Sequence, residues 1–157
     1  MNLLELAQFL VKAKKNAYAG GEKEISPQRQ GFREMEYQVG DWYYRDSFTG
    51  FFQAPGQEVV YYKEKPVWAM AYSGGMRKEL HGNAVFAKKT FEFLIKCLSQ
   101  VEENKPFRGP RNFSEGDFSY EMQAKGDITD FSGKEKIFFK GKEVFKQFFI
   151  GGVIIQK

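Results

Sequence analysis

The sequence predicts an α+β fold made of two helix-plus-antiparallel-meander repeats related by a pseudo-twofold axis. The segment GQEVVYYKEKPVWAMAYSGG (56–75) recurs as GKEKIFFKGKEVFKQFFIGG (133–152), and seven of the twenty positions are identical. A stretch with helical periodicity precedes each copy. The strands predicted within each copy are joined by short turns, and such connections favour antiparallel pairing.

The repeat extends upstream of these two segments. FLVKA (9–13) corresponds to FLIKC (93–97), and YQVGDWYY (37–44) corresponds to FSEGDFSY (113–120). The shift between equivalent residues changes from 84 to 76 and then to 77, which places the length differences in loops. At 157 residues the chain is expected to form a single domain, 1–157, with internal repeats of approximately 1–76 and 82–157.

Each repeat begins with a predicted helix. The first is expected at Leu3–Lys15, where Asn2 and Glu5 have the spacing of a capping box. The second is expected at Ala84–Val101. Apolar residues recur at helical spacing in both: Leu3, Leu6, Ala7 and Leu10 in the first, and Phe91, Leu94, Ile95, Leu98 and Val101 in the second.

Predicted strands follow each helix. The first repeat contains REMEYQV, DWYYRDSF, EVVYY and VWAMAYS, and the second contains DFSYEMQA, EKIFF and EVFKQFFI. We expect the helices to pack on one face of an open sheet or on two faces of a closed one. The polar segment YAGGEKEISPQRQG (18–31) is typical of a mobile loop, and a lid is one role for it.

Composition and charge exclude several classes of protein. The net charge of +4 comes from charges of both signs spread along the chain, so direct binding to nucleic acid is not expected. No apolar run approaches the length of a membrane span, and the first residues lack the leading positive charge of a signal peptide. We therefore expect no membrane association and a cytoplasmic location. Aromatic residues make up 17% of the chain and either fill a core or line a pocket.

Single copies of cysteine and histidine limit the possible chemistry. With one cysteine, Cys97, the chain cannot form an internal disulfide or a Cys-based zinc site. His81 is the only histidine, so multi-His metal sites and Cys/His or Ser/His/Asp arrangements are not expected. Cys97 lies beside the apolar stripe of the second helix, where a small core residue is expected. The sequence therefore predicts neither a metal nor a cofactor.

Two glutamates are candidates for a site. Glu58 and Glu135 are equivalent in the two repeats, and each follows Gly-x just before an aromatic strand. A pseudo-twofold axis could bring the two carboxylates close together, where they would perform acid–base chemistry or hold a cation. The alternative is that they are structural carboxylates bonded to loop amides or lysines.

The loop PFRGPRNF (106–113) has no equivalent in the first repeat. Its arginines, Arg108 and Arg111, could clamp a carboxylate or phosphate. The alternative is that they connect this loop to nearby acidic residues such as Glu115 or Asp117. Because unrepeated loops are places where function is added to a scaffold, both arginines are candidate ligand-binding residues.

One strand face raises a further question. Trp68 and Tyr72 share a face with Met70, because alternate strand residues point the same way. In the second repeat Gln147 takes the place of Met70, between two aromatic residues. A polar amide on this face indicates either a wet or ligand-filled cavity, or a twisted edge strand from which the amide reaches water. Trp68, Tyr72 and Gln147 are therefore further ligand-binding candidates.

Several motifs together resemble a known family. FLVKAKKNAYAGG, EYQVGDWYYRDSF, GQEVVYY, KPVWAMAYSGG and PFRGPRNFSEGDFSYEMQAKGDITDFSGKEKIFF, with the FFIGG ending, are similar to a prokaryotic family known only as a domain of unknown function. Some of its members sit behind a repressor-type helix-turn-helix, which implies a sensor or effector-binding role. Here the first predicted helix begins at the N-terminus of the sequence, so direct DNA binding is not implied.

Three functions remain open at this stage. The first is a small domain that binds a small molecule or a protein partner without catalysis. The second is an enzyme that uses Glu58 and Glu135 with Arg108 on an anionic or aromatic substrate. The third is an interaction module that pairs through a sheet edge, with a homodimer as one form. A deep cavity that excludes the two glutamates favours the first, and one that contains them favours the second.

Overall fold

The computed structural model describes residues 2–19 and 24–155. Two α-helices, α1 (Leu3–Ala19) and α2 (Ala84–Leu98), and a short 3-10 helix (Lys78–Leu80) accompany eight strands. The strands are β1 (Arg33–Val39), β2 (Trp42–Phe48), β3 (Gly56–Tyr62), β4 (Lys65–Met76), β5 (Asn112–Glu115), β6 (Phe118–Asp127), β7 (Asp130–Phe139) and β8 (Lys142–Val153). The predicted α+β class is confirmed.

All eight strands form one antiparallel sheet with the order β1-β2-β3-β4-β8-β7-β6-β5. Each half of the chain contributes a four-stranded meander, and the long last strands, β4 and β8, pair at the centre of the sheet. In that central pair Tyr72 lies opposite Phe149. The β4–β8 pair is therefore where the two halves of the sheet meet.

Both helices pack on one face of this open sheet and also contact each other. Burial alternates along the central strands: Trp68, Met70 and Tyr72 in β4 are buried, whereas the neighbouring Ala71 and Ser73 are exposed. Alternate residues of a strand point to opposite faces, so the buried set lies beneath the helices. The opposite face exposes Phe148 and Ile150 of β8.

Element bounds differ in detail from those predicted. Helix α1 continues to Ala19 rather than ending at Lys15, and α2 ends at Leu98 rather than Val101. The short edge strand β5 was not predicted, because four residues carry too little alternation to separate them from a loop. Within the predicted lid, residues 20–23 lie outside the described residues, and Ile25 forms an isolated antiparallel bridge with Glu34.

The two meanders contain the same local irregularities. The pairing of β3 with β4 shifts register between Val60 and Tyr61, and the pairing of β7 with β8 shifts between Ile137 and Phe138. These positions are separated by 77 residues, as in the sequence repeat. A bulge at one position bends a strand and increases its twist there, so both halves of the sheet curve at corresponding points.

Aromatic contacts also recur. In the first half the ring pairs are Phe9–Tyr37, Phe9–Trp42 and Trp42–Tyr62, and in the second half they are Phe93–Phe113, Phe93–Phe118 and Phe118–Phe139. Each series connects the helix of its half to the outer strands of its half. Such ring pairs stabilise packing by about 0.5–1.5 kcal/mol beyond the burial of their area.

Candidate functional site

A buried network of charged side chains lies beneath the helices, and Arg108 is at its centre. The guanidinium donates from Nε to Glu135 Oε1 at 3.0 Å and from Nη1 to Glu58 Oε1 at 3.3 Å. Arg108 is 3% exposed, and both glutamates are fully buried. Charged groups are almost never buried unless they are paired. The arginine of the unrepeated loop thus joins the two equivalent glutamates of the repeats.

Helix α1 supplies the second cation of the network. Lys14 is buried and forms an ion pair with Glu58 Oε2. Its ammonium also donates to the carbonyl oxygen of Phe107 at 2.7 Å. Glu58 therefore accepts from Arg108 through one oxygen and from Lys14 through the other. Because Phe107 precedes Arg108, the lysine also fixes the loop that carries the arginine.

Two neutral side chains complete the hydrogen bonding. The Tyr120 hydroxyl donates to Glu135 Oε2 at 2.6 Å and accepts from the backbone N–H of Gly109 at 3.1 Å. The Gln147 carbonyl oxygen accepts from Arg108 Nη2 at 3.1 Å, and its amide nitrogen donates to the Ala54 carbonyl oxygen at 3.1 Å. Buried polar groups satisfied in this way avoid the cost of an unmade hydrogen bond.

Burial changes the acid–base properties of two members of the network. Desolvation lowers the pKa of the Lys14 ammonium below its ordinary value of 10.5, against the attraction of Glu58, and the nearby Arg108 lowers it further. Burial raises the pKa of the Tyr120 phenol well above 10.0, and the Glu135 carboxylate that accepts its hydrogen bond raises it further. Tyr120 is therefore a donor at neutral pH.

A third carboxylate, Asp46, lies in β2 directly opposite Glu58 in β3. It is 2% exposed and accepts a hydrogen bond of 2.8 Å from the Tyr72 hydroxyl. The Tyr72 ring in turn lies 4.8 Å from the Arg108 guanidinium, which is within the range of a cation–π contact. Asp46 and Tyr72 thereby extend the network toward the first half of the sheet.

A pocket of about 400 Å³ lies beside Asp46 and Tyr72, between α2 and the first half of the sheet. Four nearly buried polar residues form its floor: Asp46, Tyr72, Arg108 and Gln147. Apolar side chains form its walls, among them Met35, Phe48, Phe51, Phe91, Leu94 and Ile95. Small-molecule sites typically combine apolar walls with a few placed polar groups in this way.

The two glutamates lie behind the pocket rather than in its lining. Glu58 and Glu135 are fully buried, and the described residues that line the pocket do not include either of them. Their oxygens accept hydrogen bonds from Arg108, Lys14 and Tyr120. What the pocket presents is therefore Arg108, already compensated by carboxylates, rather than a carboxylate pair.

The structure corrects the alternatives considered for Arg108 and Gln147. Arg108 does connect its loop to acidic residues, but these are Glu58 and Glu135 rather than Glu115 and Asp117, which pair with Lys96 and Lys140. Gln147 is not on a twisted edge strand, because β8 is central and the side chain is 2% exposed. Both side chains are buried, and their hydrogen bonds within the network satisfy their polar groups there.

The remaining predicted site residues lie elsewhere. Trp68 is fully buried, donates from Nε1 to the Ile128 carbonyl oxygen at 3.1 Å and stacks on Phe131. Arg111 is exposed and lines a separate depression beside Met122, away from the charged network. Of the seven predicted residues, the network brings together Tyr72, Arg108, Gln147, Glu58 and Glu135.

Sequence reasoning missed three members of the site: Lys14, Asp46 and Tyr120. Tyr120 corresponds to Tyr44 in the sequence repeat, and a repeated residue does not stand out as part of a site. Lys14 lies near the end of the predicted first helix, where a lysine is normally solvated. One signal was present in the sequence: Lys14 corresponds to Leu98, and Asp46 to Met122, so both are charged residues at positions that are apolar in the other repeat.

Two other groups considered from the sequence have ordinary surroundings. His81 contacts the Met76 carbonyl oxygen through Nε2 at 3.1 Å and stacks on Phe52. Cys97 is buried, and burial raises the pKa of its thiol far above the ordinary range. Within residues 2–19 and 24–155, no group of three or more His, Cys, Asp and Glu side chains is arranged to hold a metal ion.

The exposed sheet face carries a broad groove of about 730 Å³ lined by Phe148, Ile150 and Lys134. Among the described residues of its lining, the polar Gln123, Lys125 and Ser132 are exposed, unlike the buried polar floor of the pocket beneath α2. The homodimer expected from the sequence stays a prediction. No helix in the described part of the chain is both long and apolar enough to cross a bilayer.

Residues 46–154 match the family described as Domain of unknown function (DUF5680). The chain belongs to this family. The matched region is more than half of the 157 residues and includes Asp46, Glu58, Arg108, Glu135 and Gln147, whereas Lys14 lies outside it. No curated protein and no solved structure matches this DUF5680 chain significantly.

Proposed function

We propose that this domain binds a small molecule in the pocket beneath α2, as a sensor or effector-binding domain that does not perform catalysis. The observation that carries the proposal is the pocket floor, where Arg108, Gln147 and Asp46 are nearly fully buried but still line the cavity. Polar groups placed at the bottom of an apolar cavity orient a ligand and determine which ligand enters.

The positions of Glu58 and Glu135 favour ligand binding over catalysis. An enzyme that uses Glu58 and Glu135 would need at least one carboxylate oxygen within hydrogen-bond reach of a substrate. Both side chains are instead engaged with Arg108, Lys14 and Tyr120 behind the pocket floor. In this arrangement they fix Arg108 in one orientation, which is a positioning role.

We also infer that the two halves are a pseudo-twofold duplication. The matching register shifts and the matching ring pairs support this relationship. A further feature is that Gly56 lies opposite Tyr72 and Gly133 lies opposite Phe149, each with the partner ring covering the glycine. On this axis Tyr72 and Phe149 are neighbours across β4 and β8, and the network lies close to the axis.

The duplication makes the differences between the halves informative. Lys14, Asp46 and Gln147 are replaced at equivalent positions by Leu98, Met122 and Met70. The side chains that depart from the repeat therefore add charged or polar groups to a network whose two glutamates occupy corresponding positions in both halves. A scaffold needs equivalent residues for packing, so departures that place buried polar groups beside a cavity favour a ligand-binding role.

A sensor role is consistent with the context implied by the sequence resemblance, in which related domains follow a repressor-type helix-turn-helix. In such an arrangement, ligand binding would change the contact between α2 and the sheet. The proposed location is the cytoplasm, as expected from the composition. A protein partner regulated by this domain would then respond to the change in the position of α2.

The proposal is tested with a neutral fluorescent probe, N-phenyl-1-naphthylamine, excited outside the tryptophan absorption band. Wild-type protein is expected to give saturable fluorescence enhancement with one site per chain. Replacing Ile95, a half-exposed wall residue of α2, by tryptophan should fill the pocket and remove the saturable component.

The matched control is Ile150→Trp, which adds the same ring to an exposed apolar position on the opposite sheet face. This variant should retain the wild-type titration. Binding that survives Ile95→Trp, or that is lost in Ile150→Trp, would place the probe on the exposed face and contradict the proposed site. Both positions are solvent-accessible, so neither variant is expected to prevent folding.

A further inference from the structure

We propose that the exposed face of the sheet binds a short single-stranded nucleic acid. The site is the groove of about 730 Å³ on the face opposite the helices. It is separate from the pocket beneath α2, so this proposal does not depend on the proposed function. It departs from the expectation, drawn from the charges along the sequence, that the protein makes no direct contact with nucleic acid.

The sheet brings together lysines that are scattered along the sequence. Lys125 in β6 and Lys134 in β7 line the groove, and Lys146 in β8 shares a strand face with Phe148. In the described part of the chain, none of these three lysines forms an ion pair with a carboxylate. Cations concentrated on one surface in this way attract anionic partners.

The carboxylates of this region lie outside the groove. Glu143 forms an ion pair with Lys136 at 2.6 Å, and Glu121 lies opposite Lys136 in the pairing of β6 with β7. Asp127 and Asp130 lie opposite each other at the end of the same two strands. The described residues that line the groove include no carboxylate. An anion in the groove would therefore meet positive charge without breaking an internal ion pair.

The same surface supplies an aromatic ring. Phe148 is 55% exposed, and Ile150 beside it on the same face is 62% exposed. Lys146 Nζ lies 4.6 Å from the centroid of the Phe148 ring, and Lys134 lies directly opposite Phe148 in the pairing of β7 with β8. Surfaces that bind single strands combine exposed rings, on which bases stack, with cations that track the phosphates.

These side chains are specific to the second half of the sheet. At a shift of 77, Lys134, Lys146, Phe148 and Ile150 correspond to Gln57, Ala69, Ala71 and Ser73. The first half forms a four-stranded meander without them, so the sheet does not require them for pairing. Exposed apolar residues beside unpaired lysines, at positions that are small or neutral in the other half, favour a role in binding.

The groove is less suitable for other occupants. A second copy of the chain, bound face to face about a twofold axis, would bring like charges together. Faces that enter a membrane bury a convex apolar surface, whereas Phe148 and Ile150 line a groove. Acidic peptides often bind by adding a strand to a sheet edge, but β8 is paired with β4 and β7 on its two sides.

The test is a fluorescence anisotropy titration of the complete chain with a labelled oligothymidylate of about eight nucleotides. We expect saturable binding that weakens with salt, with a slope of about −2 in a plot of log K against log salt concentration, as is typical of about three phosphates on a single strand. Phe148→Ala should weaken binding at least about fivefold, because it removes the stacking ring. Lys134→Gln should weaken binding and make the slope shallower by about 0.7.

The matched control is Lys89→Gln, which removes an exposed lysine from α2 on the other side of the molecule and should leave the titration unchanged. Thermal unfolding of each variant verifies that it is folded. Absence of saturable binding to the wild type, or losses as large in Lys89→Gln as in Phe148→Ala and Lys134→Gln, would overturn the proposal. Equal or tighter binding of oligoglutamate, or of vesicles containing phosphatidylserine, would overturn it in favour of an acidic protein segment or a membrane surface.

Discussion

Arg108 and Glu135 join the unrepeated loop to the sheet through two hydrogen-bond contacts. Nε and Nη2 of the arginine lie 3.0 Å and 2.9 Å from the same carboxylate oxygen, Oε1. The other oxygen accepts from Tyr120 at 2.6 Å. Two contacts to one carboxylate restrain the orientation of the guanidinium. This part of the pocket floor is therefore pre-organised before a ligand arrives, which favours binding.

Arg108→Met should destabilise the protein strongly, because it leaves Glu58 and Glu135 buried with fewer partners. Breaking a buried ion pair by removing one partner typically costs about 3–5 kcal/mol. The matched control is Arg111→Met in the same loop, where the side chain is exposed, and it should cost about 0.5 kcal/mol or less. Urea unfolding measures both values. Equal losses would show that the loop, rather than the ion network, determines stability.

Trp68→Ala should cost about 3–5 kcal/mol of unfolding free energy, as is typical for a large buried aromatic residue. The ring is fully buried, stacks on Phe131 and donates to a backbone carbonyl. Phe148→Ala, on the exposed face, should change stability by about 0.5 kcal/mol. A loss of less than about 1 kcal/mol for Trp68→Ala would mean that this ring is not part of the core.

Gly56→Ala and Gly133→Ala test the duplication. A Cβ at Gly56 would lie 2.3 Å from the Tyr72 ring, and one at Gly133 would lie 2.4 Å from the Phe149 ring. Overpacking of this kind typically costs about 1–3 kcal/mol, and we expect similar losses in thermal unfolding for both variants. Ser73→Ala, at an exposed β4 position, is the control. A large loss at only one glycine would argue against equivalent packing in the two halves.

Tyr120→Phe should change how stability depends on alkaline pH. The pKa of Tyr120 is raised above 10.0 by burial and by Glu135, so the folded state retains this proton more strongly than the unfolded chain. Its contribution is fully present below pH 10 and is lost as the pH rises from 10 toward the raised pKa. The variant should lose about 1–3 kcal/mol at neutral pH.

Above pH 10 the difference in stability between wild type and Tyr120→Phe should become smaller. Tyr43, whose pKa burial raises to about 12, remains in both proteins and therefore cancels in the comparison. Denaturant unfolding between neutral and alkaline pH measures this difference. A constant difference across the range would mean that the pKa of Tyr120 is not raised in the folded protein relative to the unfolded chain.

The main elements of the fold could be predicted because they depend on local patterns. The helical stripes of α1 and α2 and the alternation in β4 and β8 identified these elements, and the repeat indicated equivalent meanders. The strand β5 has only four residues and is defined by its pairing with β6. Whether a short segment pairs at a sheet edge depends on tertiary contacts, which its own sequence does not specify.

The site could be predicted only in part. Glu58 and Glu135 were identified because they occupy corresponding positions in the repeat. Arg108 was identified because its loop has no counterpart in the first half, and Gln147 because it replaces an apolar residue. Lys14 was missed because a lysine near the end of a helix is normally solvated, and only the three-dimensional arrangement shows that Glu58 and the Phe107 carbonyl meet it there. The pairing of Arg108 with the glutamates could likewise not be predicted, because it depends on how segments far apart in the sequence pack together.

The central claim is that the cavity beneath α2 holds a small molecule. Native mass spectrometry of the protein purified from its host tests this claim most directly, with wild type and Ile95→Trp prepared in parallel. We predict that wild type carries an additional small mass in one copy per chain and that Ile95→Trp lacks it. Wild-type protein at its bare mass, or the same additional mass in both proteins, would contradict the claim.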